Sequence, residues 1–432
     1  MIIEVLEALF IVLAILMTAY LIRHYVFTLT VLKNVDKRKR ATNNSEMGYP
    51  KVSILIPARN EENVIGRILQ RMTELTYPKD KMEVIVINDA STDKTGAIAN
   101  QYATANNYIK VIHRSEKEGG KGKASALNAG FAHSSGEFIF CFDADYYPQC
   151  DIIEKLVREF ADPKVGIVQG RITVLNEPQN IVTRLVALER IGGYRIDQQA
   201  RNDLGLIPQF GGTVGGIRRN LLELLRGWDE NMLAEDTDLT FSAYLEGYKV
   251  RYVNEAECYE EAVESWQAYW KQRYRWAKGH MQCAFKHTLN VLKSRNLNLK
   301  EKIDGFLLLN VYFMPIIVLF SLIIGVALFM LKQHQIHILW STIPISIYSF
   351  VGNFAPFFEV GTGTYLDGRT RAHWLLPLLV FAFIYNIPIC TKALVDLCVE
   401  KLLRRSELNW TKTFHSGNGN GYILNRSIST KR

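Results

Sequence analysis

Residues 136–148 read GEFIFCFDADYYP. The run of Phe, Ile and Cys is dense enough for a strand buried on both faces, yet it ends abruptly in two carboxylates, Asp143 and Asp145. Alternate residues of a strand point to one side, so this spacing predicts that the two acids converge on a point just past the strand's end. Convergent carboxylates suit a cation, because hard divalent ions take oxygen ligands. By itself the pair also fits a solvated turn or a helix cap.

The sequence upstream has the same texture. Residues 51–60 (KVSILIPARN), 82–91 (MEVIVINDAS), 109–114 (IKVIHR) and 137–145 (EFIFCFDAD) read as strands, being short β-branched or aromatic runs. Amphipathic helical stretches separate them at 62–75, 95–106 and 122–133. This alternation implies an α/β domain with a mainly parallel sheet and helices on both faces. Ligands of such sheets bind beyond the carboxyl ends of the strands. Those ends carry Arg59, Asn60 and Glu61, then Asp89, then the acid pair, so Asp89 is expected to face the same crevice.

The chain of 432 residues is 48% apolar and 11% aromatic, enough for one sizeable domain and a membrane part. Residues 305–331, 338–358 and 374–391 hold no charged residue, and each is near the roughly 20 residues that cross a bilayer. Residues 5–22 carry only Glu7; no basic residue precedes them and no small-residue cleavage site follows, which favours an uncleaved anchor over a signal peptide. Six cysteines without metal-type spacing read as buried thiols of a reducing compartment.

The net charge of +8 is concentrated at two places. Residues 33–40 have five basic residues and one acid, and the tail from Lys401 has seven and one, which leaves the body slightly acidic. A nucleic-acid surface would need a basic face on the folded domain, so no nucleic-acid partner is expected. Basic clusters beside membrane segments mark the cytoplasmic side. The expected layout is therefore an anchor (1–32), a basic cytoplasmic linker (33–50), an α/β domain (51–260), interfacial helices (261–302), a C-terminal transmembrane region (303–400) and a basic cytoplasmic tail (401–432). That makes a multi-pass protein of the plasma membrane. One anchor and three full spans would put the tail outside, against its charge, so residues 338–358, interrupted by Pro344, Gly352 and Pro356, are expected to be re-entrant.

Four further motifs follow in order: GGKGKASALN (119–128), QFGGTVGGIRR (209–219), LAEDTDLT (233–240) and QRYRW (272–276). Together with the acid pair, this set resembles the membrane-integral family 2 glycosyltransferases, the group of bacterial cellulose, hyaluronan and poly-N-acetylglucosamine synthases. The resemblance covers roughly residues 50–300 and extends to the membrane layout. The tail segment NWTKTFHSG (409–417) is similar to a Trp-x-x-Thr segment of several members.

The resemblance implies a GT-A type nucleotide-sugar-binding domain flanked by transmembrane and interfacial helices. It implies that Asp89 contacts the uracil of a UDP-sugar and that Arg59 and Glu61 form the nucleotide-side loop. Lys123, with Lys121, stands just before a helix, where amide dipoles and a cation suit a diphosphate. Asp143 and Asp145 match the DxD element that binds Mg2+ or Mn2+, with Asp145 the expected direct ligand. Glu235 and Asp236 match the family's acidic pair, although Ala234 replaces the usual Thr; Asp236 is then the general base.

Gln272, Arg275 and Trp276, at i, i+3 and i+4, share one helical face that could hold a diphosphate and a sugar ring. Trp266, Tyr269, Trp270 and Tyr274 equally suit a membrane surface, and the expectation is a helix that does both. Residues 210–213 resemble the loop lining the acceptor site.

The implied activity is an inverting, metal-dependent β-glycosyltransferase that passes sugar from a UDP-sugar donor to a growing polysaccharide, processively and of the poly-N-acetylglucosamine type. Its partners are the donor, a polysaccharide or glycolipid acceptor, the lipid bilayer and a small accessory membrane subunit. One alternative is a non-processive enzyme acting on a membrane lipid. Another is an inactive scaffold or export subunit, which would be expected to lack one of Asp89, Asp143, Asp145 and Asp236; all four are present.

Overall fold

The computed structural model describes residues 2–40, 48–331, 338–403 and 417. The tail with its Trp-x-x-Thr segment lies outside the described residues apart from Leu402, Leu403, Lys401 and Gly417, as do positions 41–47 of the basic linker.

Eight strands form the centre: β1 (Val52–Ala58), β2 (Met82–Asp89), β3 (Ile109–Arg114), β4 (Phe138–Cys141), β5 (Tyr147–Pro148), β6 (Val165–Val174), β7 (Gly215–Arg218) and β8 (Lys249–Glu260). They make one sheet in the order β3-β2-β1-β4-β7-β6-β8-β5. β1 pairs in parallel with β2 and β4, β2 with β3, and β6 with β8. Antiparallel pairing is confined to β7, against β4 and β6, and to β5 against β8.

The helices are α1 (Ile2–Arg40), α2 (Ile65–Glu74), α3 (Thr95–Ala105), α4 (Lys123–Ala132), α5 (Ile152–Val157), α6 (Ile181–Arg190) and α7 (Gln199–Leu204). After them come α8 (Arg219–Leu225), α9 (Glu235–Leu245), α10 (Trp266–Lys293), α11 (Leu299–Leu309), α12 (Met314–Leu331), α13 (Ile338–Leu366) and α14 (Leu378–Leu402).

The first strands are apolar throughout because both faces are covered. Ile65, Ile68, Leu69 and Met72 of α2, at i, i+3, i+4 and i+7, are buried with Ile54, Ile56, Val84 and Val86 on one face. Leu55, Ile85 and Ile87, the intervening residues of the same strands, are buried on the other with Ala126 and Leu127 of α4. Each such side chain contributes about 1.5–3 kcal/mol of hydrophobic stabilisation. The alternating β-α reading of residues 51–133 thus matches the structure to within a few residues at each element.

Among the described residues, three helices are long and apolar enough to cross a membrane: Ile3–Asp36, Val311–Leu331 and Leu378–Leu402. The first does not stop at residue 32. α1 continues to Arg40, and its second half packs on the domain, with Phe27 and Val31 against Ile196 and Ala200 and Arg23 ion-paired to Asp197 at 3.2 Å. The start of the expected linker is therefore the last turns of the anchor helix.

α12 runs antiparallel to α1: Phe10 faces Gly325, while Tyr20 Oη, ten residues further on, donates to Leu307 O just before α12 begins. α13 runs parallel to α1, with Gly352 against Leu21 and Phe358 stacked on Tyr25 at 5.6 Å. A Cβ at Gly352 would stand 2.6 Å from Leu21 Cδ1, so the glycine leaves room for the Leu21 side chain between the two helices. The re-entrant expectation for residues 338–358 is corrected here. A re-entrant segment reverses direction, whereas α13 is one helix that passes through Pro344, Gly352 and Pro356 and continues to Leu366.

Candidate active site

The acid pair does not sit on the strand. β4 ends at Cys141, where Phe142 N donates to Leu55 O at 3.1 Å and Val214 N to Cys141 O at 2.8 Å. Asp143 and Asp145 lie in the turn beyond, closed by Tyr146 N donating to Asp143 O at 3.2 Å. Strand alternation therefore does not aim them, and the two meet different neighbours. Asp143 is ion-paired with Lys123, Nζ to Oδ1 at 2.5 Å, and its backbone N donates to Thr213 Oγ1 at 3.0 Å. Asp145 is buried, and its carbonyl oxygen accepts from Arg67 Nη2 at 2.6 Å.

Lys123 is the first residue of α4. Burial alone would lower its pKa, but the carboxylates of Asp143, Glu235 and Asp236 outweigh burial and raise it, so the ammonium stays charged. One cation thereby serves both acidic motifs. The second motif opens α9, where Asp236 Oδ1 accepts from Thr237 N at 2.6 Å and carboxylates suit the helix dipole. Burial, and then Asp236, push the Glu235 carboxyl up to about 7. Ala234 is explained by α10: a Cβ at Gly279 would stand 2.8 Å from Ala234 Cβ, so small residues let the two elements touch.

The loop after α7 is fitted to Asp236. Gly212 has φ of 75°, and a Cβ there would lie 3.2 Å from Asp236 Oδ2. Gln169, fully buried in β6, clamps this loop: its Oε1 accepts from Gly211 N at 2.8 Å and its Nε2 donates to Thr213 O at 3.1 Å. Val214 is held at φ of 55°, a conformation that costs a β-branched residue about 1–3 kcal/mol and that clusters at functional sites.

From α10, Arg275 faces the acids without touching them. It has no ion pair or hydrogen bond among the described residues. Burial lowers its pKa, and Glu235, Asp143 and Asp236 only partly offset that. Two guanidinium groups lie over the Trp276 ring, Arg190 at 5.0 Å and Arg273 at 4.3 Å from its centroid. Arg190 donates twice to Glu260, at 2.5 and 2.9 Å, and Glu260 accepts from Tyr146 Oη at 2.7 Å, which ties α10 to the acid turn. Gln272 is half-buried one turn before Trp276. Trp266 and Trp270 do not simply face lipid; both meet Tyr385 of α14 edge-on, at 5.3 and 5.5 Å.

At the far end of the crevice, Asp89 accepts from Arg114 Nη1 at 2.6 Å and from Gly120 N at 3.0 Å, which draws in the loop preceding Lys123. Arg59 lies against the same loop, where a Cβ at Gly120 would come 2.2 Å from its Nη1. Glu61 anchors the entry to α2 by donating its N–H to Thr95 Oγ1 at 2.7 Å.

Two residues not anticipated from the sequence support Asp236 and the loop beside it. His280 Nδ1 is 3.4 Å from Thr237 Oγ1, and its ring stacks on Tyr312 at 4.6 Å. Burial lowers the His280 pKa and Asp236 only partly restores it, so the ring is neutral. Its position four residues after Trp276 was the available signal. For Gln169 the signal was a polar residue inside the apolar run VGIVQGRITV.

Among the described residues no cluster of three or more potential metal ligands occurs. Two carboxylates nonetheless fit Mg2+ or Mn2+, since oxygen donors are the right chemistry and phosphate oxygens can complete such a shell.

A doubly wound sheet with acids and a lysine gathered at its carboxyl edge, and a cationic helix laid across them, defines a nucleotide-sugar-transferring enzyme of the GT-A type. The chain belongs to glycosyltransferase family 2: the family described as "Glycosyltransferase like family 2" matches residues 50–279. The probable glycosyltransferase YdaM of Bacillus subtilis is 38% identical over 311 residues, 72% of this chain and 71% of that protein. A beta-monoglucosyldiacylglycerol synthase of Nostoc is 31% identical over 388 residues, 86% of this chain and 77% of that protein. The fold is also that of a mannosyltransferase from Pyrobaculum calidifontis solved with GDP-Man and Mn2+, with a TM-score of 0.54, 22% identity, and coverage of 86% of this chain and 98% of that one.

Proposed function

We propose that the enzyme transfers a sugar, with inversion, from a UDP-sugar to a hydroxyl of a membrane lipid at the cytoplasmic face of the plasma membrane. The observation that carries this reading is the short path from Asp236 through Thr237 and His280 to Tyr312, the residue two positions before α12 enters its apolar run. Only these three side chains separate the base from the foot of α12, so an acceptor hydroxyl held at the bilayer surface would lie close to Asp236. The diacylglycerol acceptor in the name of the Nostoc relative is of the same kind.

Lys123 and Arg275 balance the charge of the donor diphosphate, and partial protonation of Glu235 at neutral pH removes one repelling charge beside it. Asp143 and Asp145 would hold a divalent cation, which when bound supplies further neutralisation of the departing UDP. Arg59, Glu61 and Asp89 line the nucleotide side. Asp236 takes the proton from the acceptor hydroxyl as its oxygen attacks C1; the C1–O bond to UDP breaks on the opposite face, with its electron pair going to the diphosphate. Gly212 leaves room beside Asp236 for the acceptor.

Elongation of a polysaccharide is the second reading. It is favoured by the stripe of Gln272, Arg275 and Trp276, whose amide, guanidinium and indole together could hold a diphosphate and a sugar. Incubating membranes that contain the protein with single UDP-sugars and Mg2+ or Mn2+, then separating products, tests both. A single product that extracts into organic solvent supports the lipid acceptor. Long water-soluble chains shift the assignment to polymer synthesis, and no transfer from any UDP-sugar overturns the donor class.

A further inference from the structure

α14 is long and apolar enough to cross a bilayer, and the sequence reading makes it a span. Its neighbours rule that out. Near its start, Asn386 Nδ2 donates to Tyr269 Oη at 3.3 Å; further on, Asp396 accepts from Tyr274 Oη; near its end, Glu400 pairs with Lys278 Nζ at 2.5 Å. The contacts advance together along both helices, so α14 lies parallel to α10 and beside it. α10 belongs to the catalytic crevice through Arg275 and Trp276. Were α14 to cross the membrane, α10 would have to cross with it, taking the exposed Lys271 into hydrocarbon and the Arg273–Glu189 and Lys278–Glu400 pairs to its depth, where charge is costly.

The other face of α14 shows what covers it. Val380, Ile384, Val395, Val399 and Leu402 are exposed, and at 100° per residue they fall within one arc of about 100°. Ala382, Ile389, Ala393 and Leu397, on the opposite arc, are buried against the protein. A helix with one face on the protein and an apolar stripe on the other, beside α12, which is long and apolar enough to cross, fits the acyl and headgroup boundary of a leaflet.

We propose that α14 lies in the plane of the leaflet on the catalytic side, with this stripe immersed. The chain then crosses three times: α1 inward, α12 outward and α13, parallel to α1, inward again. The tail follows on the side of the catalytic domain. That placement agrees with the tail's seven basic residues and one acid, which a crossing α14 would contradict. It rests on the membrane reading of the chain and is independent of donor and acceptor.

The test uses the full chain in sealed proteoliposomes, with Cys150 and Cys398, the two cysteines that are not buried, replaced by serine. Spin labels at Ile384→Cys, Val395→Cys and Leu402→Cys report depth through oxygen and a water-soluble relaxer. All three should sit at one shallow depth. A crossing helix would spread the outer two over about 27 Å, and such a gradient overturns the proposal. In parallel, an impermeant maleimide should reach Leu403→Cys from the same side as Ser294→Cys in the catalytic part. Labelling of the two from opposite sides overturns it as well, whereas loss of transferase activity would leave both readouts unchanged.

Discussion

Gly212 lies so close to Asp236 that a Cβ would stand 3.2 Å from its Oδ2 and 3.3 Å from its Cβ, on a backbone with φ of 75°. Gly212→Ala therefore meets two penalties, the contact and about 1 kcal/mol of left-handed backbone strain. We expect kcat to fall at least tenfold through displacement of Asp236 or the acceptor, with UDP affinity unchanged. Titration of UDP beside a rate assay checks this; a loss confined to UDP binding would contradict it.

Asp236 and Asp145 should fail in different ways. Asp236→Asn should cost a factor of about 10²–10⁴ in rate, as for loss of a general base, while metal-dependent UDP binding persists. Asp145→Asn should weaken that binding and abolish transfer with the fold intact. Full wild-type turnover in EDTA would remove the metal from the scheme.

Glu235 makes a pH-dependent contribution to stability. Burial, and then Asp236, raise its pKa from 4.5 to about 7, so the folded chain holds a proton that the unfolded chain releases. The favourable effect is complete below about pH 4.5 and is lost as pH rises through about 7; above that the buried charge costs about 3 kcal/mol. Glu235→Gln should accordingly raise the thermal midpoint in detergent by several degrees at pH 8 and leave it nearly unchanged at pH 5. Equal shifts at both would mean that Glu235 does not titrate in this window.

Among the described residues Arg275 has no ion pair to lose, so its removal tests function with little structural confusion. Arg275→Ala should weaken UDP-sugar binding tenfold or more, without lowering the thermal midpoint.

Trp276 and Trp270 of α10 should separate. Trp276→Ala removes the ring beneath Arg190 and Arg273 and should cut transfer or product length at normal protein level. Trp270 instead packs on Tyr385, so Trp270→Ala should loosen α14 and lower stability more than specific activity. Equal modest effects from both would reduce this helix to a membrane-surface element.

The sequence by itself determined the doubly wound sheet, because burial on both faces forces continuous apolar runs in β1, β2 and β4 and periodic apolar positions in α2. It also singled out the carboxylates, lysine and arginine that the fold gathers in one crevice, since local motifs are written in residue type and spacing. What it could not determine was anything fixed by contacts between distant segments. Asp143 is aimed by Lys123 and Thr213, 20 and 70 residues away, and not by the pleat of β4. Gln169 acts on a loop 42 residues later. For α14, apolarity and length are the same whether a helix crosses a bilayer or lies in it; only its partners on α10, more than 100 residues earlier in the chain, decide between the two.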